Sequence, residues 1–372
     1  MAAAAGERAN NFDVLRLIAA GSVIFSHAFL LSQGGEEHEP LKWLTGQTIL
    51  GVVGVFVFFV ISGFLVTQSF EATQSPLRFA VKRALRIYPG YVVCILLCTF
   101  VLGPAVTLLP IGDYLAGAGT WDFLRSNLAM NVEHNSLPGV RFTGFEVGSI
   151  VDGPLWSLPC EVVMYLLVLA LGLCRLIRLA ALVPLFALGL ARLAFDDWAN
   201  TALGGGPWLA RFLGDTSWLL PFFVAGMILY KLRRTRAFDR RIALAALLGL
   251  IAGVPLGTLV FRTPLFNFGF ALLGAYLVIY LALEPALPLV RAARFGDLSY
   301  GLYIYGWPVE QTLLHLSHGS LVWWQLFPLA LAIAAILALL SWHIIEAPAL
   351  RLKPASGDRA SDLQTEALRQ RG

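Results

Sequence analysis

The sequence predicts an all-α membrane protein that crosses the bilayer about ten times and has both termini in the cytoplasm. Of its 372 residues, 58% are hydrophobic and only 13% are charged, with a mean hydropathy of +0.73. This composition is too apolar for a soluble domain, whose surface has to be charged. Apolar stretches of about 20 residues recur along the chain, each long enough to span a bilayer. Lys and Arg cluster in the short connections between them, which is a pattern that sets membrane orientation.

The ten apolar stretches divide the chain into a leader (1–11), a membrane domain (12–350) and a polar, charged tail (351–372) that we expect to be disordered and cytoplasmic. The first stretch lacks a small-residue cleavage site and is too long for a removable signal, so we expect it to be a permanent helix. The predicted spans are 12–33, 48–70, 88–110, 154–174, 177–195, 215–231, 241–260, 265–284, 298–317 and 322–346.

The basic residues fall on one predicted side of the membrane. They lie in alternate connections: Arg78, Lys82, Arg83 and Arg86; Arg175 and Arg178; Lys231, Arg233, Arg234, Arg236, Arg240 and Arg241; Arg291 and Arg294; Arg351 and Lys353. The positive-inside rule places this side in the cytoplasm. The net charge of +4 therefore indicates orientation, and we expect membrane lipid and no nucleic acid as a partner.

The longest connection on the opposite side, about residues 111–153, is rich in Gly, Asn, Asp and Ser. A loop of this length in a compact protein is often functional, although a solvated connector is an equally good interpretation. The sequence has no internal repeat of the kind that marks many transporters.

The first predicted helix carries polar residues on one face. Asp13 and Arg16 lie near its start, and His27 follows Arg16 by eleven residues. At ~100° per residue this spacing places Arg16 and His27 on the same face, roughly 16 Å apart along the axis. Polar groups in a membrane helix normally face protein or water, so this face predicts a functional surface inside the bundle.

A second polar residue, Glu161, lies in the fourth span after Trp156-Ser157. The two helices run in opposite directions, and Glu161 and His27 are each roughly 9–10 Å below the outer edge at ~1.5 Å per residue. Equal depth predicts a pair in which the Glu161 carboxylate orients the His27 ring as a general base. A pair that only fixes helix packing is the alternative.

The basic residues before the third span suggest a phosphate site. Arg83 and Arg86 are three residues apart, hence on one helical face, and with Arg16 they would form a guanidinium cluster at the cytoplasmic mouth. Guanidinium groups bind phosphate through paired hydrogen bonds. In the second span, Ser62 is available to hydrogen-bond to a ligand or within the bundle, and Gly63 permits close helix approach.

The four cysteines, Cys94, Cys98, Cys160 and Cys174, lie in apolar or helix-edge stretches without metal-ligand spacing. We expect them to be small buried side chains, with no disulfide framework and no metal site.

Six motifs occur in one order along the chain and together resemble the membrane acyltransferase-3 family, which acylates cell-surface carbohydrates. They are Asp13 with Arg16-x10-His27; Phe58-Phe59-x-x-Ser62-Gly63-Phe64; Arg83-x-x-Arg86-Ile87-x-Pro89; Trp156-Ser157-Leu158-x-x-Glu161; Leu298-Ser299-Tyr300-x-Leu302-Tyr303; and Glu346-x-Pro348. Each motif alone is unspecific, but the resemblance covers about residues 10–350.

The resemblance implies transfer of an acyl group, usually acetyl from acetyl-CoA as co-substrate, to a sugar hydroxyl of an exopolysaccharide, a lipopolysaccharide or a similar carbohydrate. It implies that Arg16, His27 and Glu161 are catalytic and that Arg16, Arg83 and Arg86 bind CoA. From its position in the second span, we also expect Ser62 to help bind the CoA donor. His27 would act either as a base or as a nucleophile that carries the acyl group.

The sequence departs from the family pattern at Gly306, where many members have a histidine two residues before Pro308. The role of that histidine would be absent here or taken by another group, such as Tyr305 or Glu310. We also expect no appended hydrolase-like domain, so the acceptor would be handled by the membrane domain or with glycan-assembly proteins as partners.

Two other functions remain open from the sequence. A transporter for a glycan or small metabolite would also explain ten helices with polar groups inside the bundle. A structural or sensory subunit of an envelope complex would tolerate replacement of Arg16, His27 and Glu161.

Overall fold

The computed structural model describes residues 10–33, 35–73, 75–142, 146–195, 208–235, 238–255, 265–284 and 296–353. Within these ranges the chain forms helices and turns, and no strand. Most of the predicted leader and nearly all of the predicted tail, at positions 1–9 and 354–372, lie outside the described residues.

The described residues form ten long helices and three short ones. In chain order they are α1 (Phe12–Gln33), α2 (Pro40–Thr45), α3 (Leu50–Glu71), α4 (Pro76–Val106), α5 (Ile111–Ala116), α6 (Ala118–Leu128), α7 (Ser157–Leu173), α8 (Leu179–Ala194), α9 (Trp208–Leu232), α10 (Arg240–Pro255), α11 (Leu265–Leu283), α12 (Ser299–Leu316) and α13 (Trp323–Arg351). Single π-helical turns interrupt α4, α11 and α13.

Seven of the described helices are long and apolar enough to cross a membrane: α1, α3, α4, α7 with its preceding turn, α9, α11 and α13. Helices also occupy the other three predicted spans. However, α8 and α10 have only 16 residues each, and α12 carries Ser, Tyr, Gly and Glu side chains that reduce its hydropathy. The chain is therefore a multi-pass helical membrane protein, and the count of ten spans stays a prediction.

Helix α4 begins twelve residues earlier than the predicted span at 88. The Ser75 hydroxyl accepts a hydrogen bond from the Arg78 amide, and Pro76 occupies the first turn, which are both helix-start signals. Arg83 and Arg86 therefore lie within the helix and not in a connection before it. This correction fixes the direction in which the two guanidinium groups extend.

The predicted loop 111–153 also contains regular structure. It includes α5, α6 and two 3-10 turns, Glu146–Ser149 and Gly153–Trp156. Tyr114 on α5 is fully buried, donates a hydrogen bond to the Thr99 carbonyl on α4 and has its pKa raised to about 12, chiefly by burial. The described part of this segment is thus packed against the bundle.

Glycines bring α3 and α9 into direct backbone contact. A Cβ atom added at Gly63 would lie 1.9 Å from the Phe223 carbonyl oxygen, and one at Gly226 would lie 2.1 Å from the Val60 carbonyl oxygen. Small residues of this kind allow membrane helices to approach closely. The pair α3 and α9 forms a rigid wall on which the neighbouring helices pack.

Helix α1 packs against α3, α12 and α13. Its Ser26 hydroxyl donates a hydrogen bond to the Glu39 carboxylate and accepts one from the Gly51 amide of α3. Glu39 also accepts hydrogen bonds from the first turn of α2. This buried network fixes the part of α1 next to His27.

Candidate active site

A partly open cavity lies between α1, α3, α4, α7 and α12. Its polar lining includes Arg16, Ser62, Arg83, Arg86, Ser157, Glu161, Tyr165, Ser299, Tyr300 and Tyr303, and its apolar lining comes mostly from α3. Five of the six predicted site residues thus line one space: Arg16, Ser62, Arg83, Arg86 and Glu161.

Arg16 and Arg86 meet at the cavity through a shared carboxylate. One terminal guanidinium nitrogen of each contacts the same oxygen of Asp297, whose second oxygen accepts a hydrogen bond of 2.6 Å from the Ser299 hydroxyl. The Arg16 Nε atom also donates to Ser299. The predicted guanidinium cluster is confirmed for these two residues, and Asp297 holds it together.

Arg83 lines the same cavity one turn away. Its guanidinium donates a hydrogen bond of 3.2 Å to the Ser69 hydroxyl and lies 5.7 Å from the centre of the Tyr165 ring. Its buried Nε atom has no hydrogen-bond partner among the described residues. Arg83 therefore retains donor capacity for a ligand in the cavity.

Lys353 adds a fourth cation at this end of the bundle. Burial, followed by the positive charges of Arg83, Arg86 and Lys82, lowers the pKa of its ammonium group from 10.5 to about 8. Mutual repulsion among these cations favours binding of an anion between them. We call Arg16, Arg83, Arg86 and Lys353 the arginine end of the cavity.

Glu161 lies in the cavity but is not the partner of His27. Its Oε1 atom accepts hydrogen bonds from the Ser62 hydroxyl at 2.9 Å and from the Tyr165 hydroxyl at 2.6 Å. Ser62 and Glu161, predicted as separate site residues, thus bind each other. The predicted pairing of His27 with Glu161 is wrong, because equal depth does not determine which helices face each other.

The carboxylate beside His27 belongs to Glu310 of α12, at 3.8 Å between Nδ1 and Oε2. Glu310 is fully buried. Neither of its oxygens, nor His27 Nδ1, has a hydrogen-bond partner among the described residues. The Trp307 ring packs edge-on against the imidazole, with 4.8 Å between the ring centres.

His27 does not line the cavity, as far as the described residues define it. The cavity reaches Tyr303, whose hydroxyl is 2.6 Å from that of Ser157. Trp307, which touches His27, follows Tyr303 by one helical turn, or ~6 Å. A layer formed by Ser157 and Tyr303 thus separates the cavity from His27.

The position of the missing family histidine is closely packed. A Cβ atom at Gly306 would lie 2.7 Å from Ile24 of α1, so α1 and α12 approach each other there. Of the two predicted substitutes, Tyr305 faces Ser341 of α13, at 3.3 Å between their hydroxyl oxygens. Glu310 is the one that faces His27.

The end of the segment 111–153 packs over His27. The Gln311 amide nitrogen donates hydrogen bonds to the carbonyls of Val147 and Ile150, and the Trp307 indole donates to the Ile150 carbonyl at 3.0 Å. The first residues of α12 line the cavity, and its later residues hold this segment against the site.

Asp152 belongs to the same segment and is buried against α4. The Cys94 thiol donates a hydrogen bond of 3.6 Å to its carboxylate, and burial raises the Asp152 pKa well above its usual range. The potential ligand atoms of Cys94, Cys98 and Asp152 lie within 4.8 Å of one another. The absence of a metal site stays a prediction.

Sequence reasoning missed Asp297, Tyr165 and Lys353 as site residues. Asp297 directly precedes the Leu298-Ser299-Tyr300 motif, and the position of an acid next to that motif was the available signal. Tyr165 follows Glu161 by one helical turn, which places the two side chains together.

Comparison with known proteins decides the class of this site. Residues 10–345 match the profile of the family described as "Acyltransferase domain". The chain belongs to this acyltransferase family. The family resemblance and the assignment as an acyl-transferring enzyme are confirmed.

Three relatives of this acyltransferase are informative. It is 28% identical over 345 residues to the O-acetyl transferase of Shigella phage Sf6, covering 91% of this chain and 95% of the relative. It is 31% identical over 362 residues to nodulation protein 10 of Rhizobium leguminosarum bv. viciae, covering 92% of this chain and 94% of the relative. It is 26% identical over 324 residues to acyltransferase MdmB of Streptomyces mycarofaciens, covering 80% of this chain and 78% of the relative. No solved structure matches the acyltransferase.

Proposed function

We propose that this membrane acyltransferase transfers an acetyl group from acetyl-CoA to a hydroxyl of a cell-envelope carbohydrate. The observation that carries the proposal is the meeting of Arg16 and Arg86 at a cavity between the helices of the bundle. A relative named O-acetyl transferase supports acetyl as the transferred group.

The arginine end of the cavity suits the phosphates of CoA. Guanidinium groups bind phosphate oxygens through two parallel hydrogen bonds. Asp297 now holds the terminal nitrogens of Arg16 and Arg86, so an entering phosphate would take over donors that are already gathered at one point. The unpartnered Nε of Arg83 and the ammonium of Lys353 would bind further phosphate oxygens.

The remaining lining suits the long arm of CoA. The walls contributed by α3 include Val55, Phe58 and Phe59, which favour an uncharged chain over water. The arm would run along α3 towards the layer formed by Ser157 and Tyr303. Those two side chains have to move apart for the thioester to reach His27.

His27 acts as the general base in this proposal. It removes the proton from the acceptor hydroxyl as the oxygen attacks the thioester carbonyl carbon. The carbon–sulfur bond then breaks, and the CoA sulfur leaves and takes up the proton from the imidazolium. Arg16 holds the donor, and Glu161 holds Ser62 and Tyr165 in the cavity wall through its hydrogen bonds.

We place the arginine end on the cytoplasmic side of the plasma membrane, where acetyl-CoA is made, and His27 towards the opposite side. Ten spans with both termini in the cytoplasm fit this orientation, which follows from the distribution of Lys and Arg. Donor and acceptor would therefore enter from opposite faces of the membrane.

Comparing the envelope and secreted glycans of three strains tests this function. One strain lacks the gene, one carries the wild-type protein, and one carries His27→Ala at equal abundance. We expect an acetyl increment by mass spectrometry only with the wild-type protein. An increment that persists with His27→Ala would contradict the proposed base. Uptake or efflux of a glycan without CoA, unaffected by His27→Ala, would instead identify a transporter.

A further inference from the structure

We propose that two neighbouring hydroxyls of the acceptor bind between His27 and Glu310, one to each side chain, so that the acceptor is a vicinal diol. This inference rests on the proposed function and adds the acceptor-binding residue and the chemical class of the acceptor.

The first argument is the state of Glu310. Its side chain is completely buried, yet neither carboxylate oxygen has a hydrogen-bond partner among the described residues. Buried polar atoms in folded proteins are nearly always paired, and a buried carboxylate without a partner costs several kcal/mol. A ligand that donates hydrogen bonds to Glu310 would remove this cost.

The second argument is the distance to His27. Nδ1 and Oε2 are 3.8 Å apart, which is too long for a direct hydrogen bond. Nδ1 also lacks a partner. The His27 Nδ1 atom and the Glu310 carboxylate, which can both accept a hydrogen bond, therefore face each other across a gap of 3.8 Å.

The gap selects the chemistry of the ligand. A single hydroxyl has one proton and can satisfy only one of the two acceptors. Two hydroxyls on adjacent carbons, as in a sugar ring, present two protons side by side. One would donate to His27 Nδ1 and become the attacking oxygen, while its neighbour donates to Glu310.

The surroundings also suit a sugar. The Trp307 ring lies against the imidazole, and aromatic rings combine an apolar face with a polar edge. Gln311 has an amide oxygen that is buried and unpartnered among the described residues, and its amide nitrogen holds the carbonyls of Val147 and Ile150 above the site. The His27 side chain remains 17% exposed, but its Nδ1 atom and both Glu310 oxygens are buried, so the packing around the ring has to open for the acceptor to enter.

In the transfer step, Glu310 takes up no proton and accepts a hydrogen bond from the neighbouring hydroxyl. His27 takes the proton from the attacking hydroxyl, the new oxygen–carbon bond forms, and the carbon–sulfur bond of acetyl-CoA breaks. The carboxylate next to the ring stabilises the imidazolium that forms, until the leaving sulfur takes its proton. The product carries an acetyl group next to a free hydroxyl.

The test uses the purified full-length protein in liposomes, with labelled acetyl-CoA as donor and an extract of the envelope glycans as acceptor. Glu310→Gln keeps the shape of the side chain and removes its charge. Glu71→Gln, which removes a carboxylate paired with Lys231, is the matched control. We expect Glu310→Gln to raise the KM for the glycan about tenfold, equivalent to ~1.4 kcal/mol, with no change in the KM for acetyl-CoA. Glu71→Gln should behave as wild type.

The product provides a second readout. NMR of the acetylated glycan should place the acetyl group beside a free hydroxyl. Equal glycan KM values for Glu310→Gln and Glu71→Gln, or acetylation of a hydroxyl without a neighbour, would overturn the inference. If Glu310→Gln does not fold, Glu310→Asp, which moves the charge away from His27, should show the same selective rise in KM. Failure of the wild-type protein to transfer acetyl would refute the proposed function itself.

Discussion

Replacing Gly63 by Ala tests whether the backbone contact between α3 and α9 holds the bundle together. The added Cβ would lie 1.9 Å from the Phe223 carbonyl oxygen, so the two helices would have to separate by roughly 1.5 Å to reach an ordinary contact. The neighbour is backbone, so no change of rotamer can relieve the clash. Overpacking of this kind costs about 1–3 kcal/mol or more.

The gain in helix propensity offsets part of this cost. Ala is favoured over Gly in a helix by ~1 kcal/mol, which leaves a net loss of about 2 kcal/mol if the clash costs about 3. At roughly 2 °C per kcal/mol, the unfolding temperature should fall by about 4 °C. Activity should fall as well, because α3 lines the cavity.

Thermal unfolding of the purified protein in detergent measures this effect. Gly21→Ala in α1 is the matched control, because nothing lies within 4 Å of a Cβ atom added there. It should leave the unfolding temperature unchanged or raise it slightly. An unfolding temperature for Gly63→Ala equal to that of Gly21→Ala would show that the helices do not pack as described.

Three further predictions concern the cavity. Arg86→Lys loses the paired hydrogen bonds and should raise the KM for acetyl-CoA about tenfold. The control Arg78→Lys, at an exposed position of α4, should leave this KM unchanged. Equal KM values for the two variants would contradict the donor site. Lys353 has a pKa of about 8 and is charged below it, so the KM for acetyl-CoA should rise from pH 7 to pH 9. Lys353→Arg should abolish the part of that rise due to this residue. A pH profile of Lys353→Arg identical to that of the wild type would refute the role of Lys353. Tyr165→Phe removes a hydrogen bond to Glu161 and should cost about 1–3 kcal/mol in thermal unfolding. The cost should be much smaller in a Glu161→Ala background, which lacks the acceptor, and equal costs in both backgrounds would argue against the bond.

The sequence predicted those features that depend on one helix at a time. Hydropathy located a helix at each predicted span, and the three-residue spacing of Arg83 and Arg86 placed both on one face of α4. The start of α4 was missed because Pro76 to Ile87 is too polar for a hydropathy criterion, although Ser75 and Pro76 are helix-start signals.

Features that depend on neighbouring helices could not be predicted in the same way. Depth along the axis gave Glu161 and His27 the same height, but Glu310 is also six residues from the predicted outer end of its helix, so depth alone could not choose between Glu161 and Glu310. The choice is made by the close approach of α1 and α12 at Gly306 and Ile24. The contact of Asp297 with Arg16 likewise joins residues 281 positions apart in the sequence.

The most direct test of the central claim is acetyl transfer by the purified protein in liposomes, from labelled acetyl-CoA to an envelope-glycan extract. We expect the wild-type protein to label the glycan and His27→Ala to lose at least ~100-fold in rate, as expected for loss of a general base, while still binding labelled CoA through the arginine end of the cavity. Transfer by His27→Ala at the wild-type rate would contradict the account.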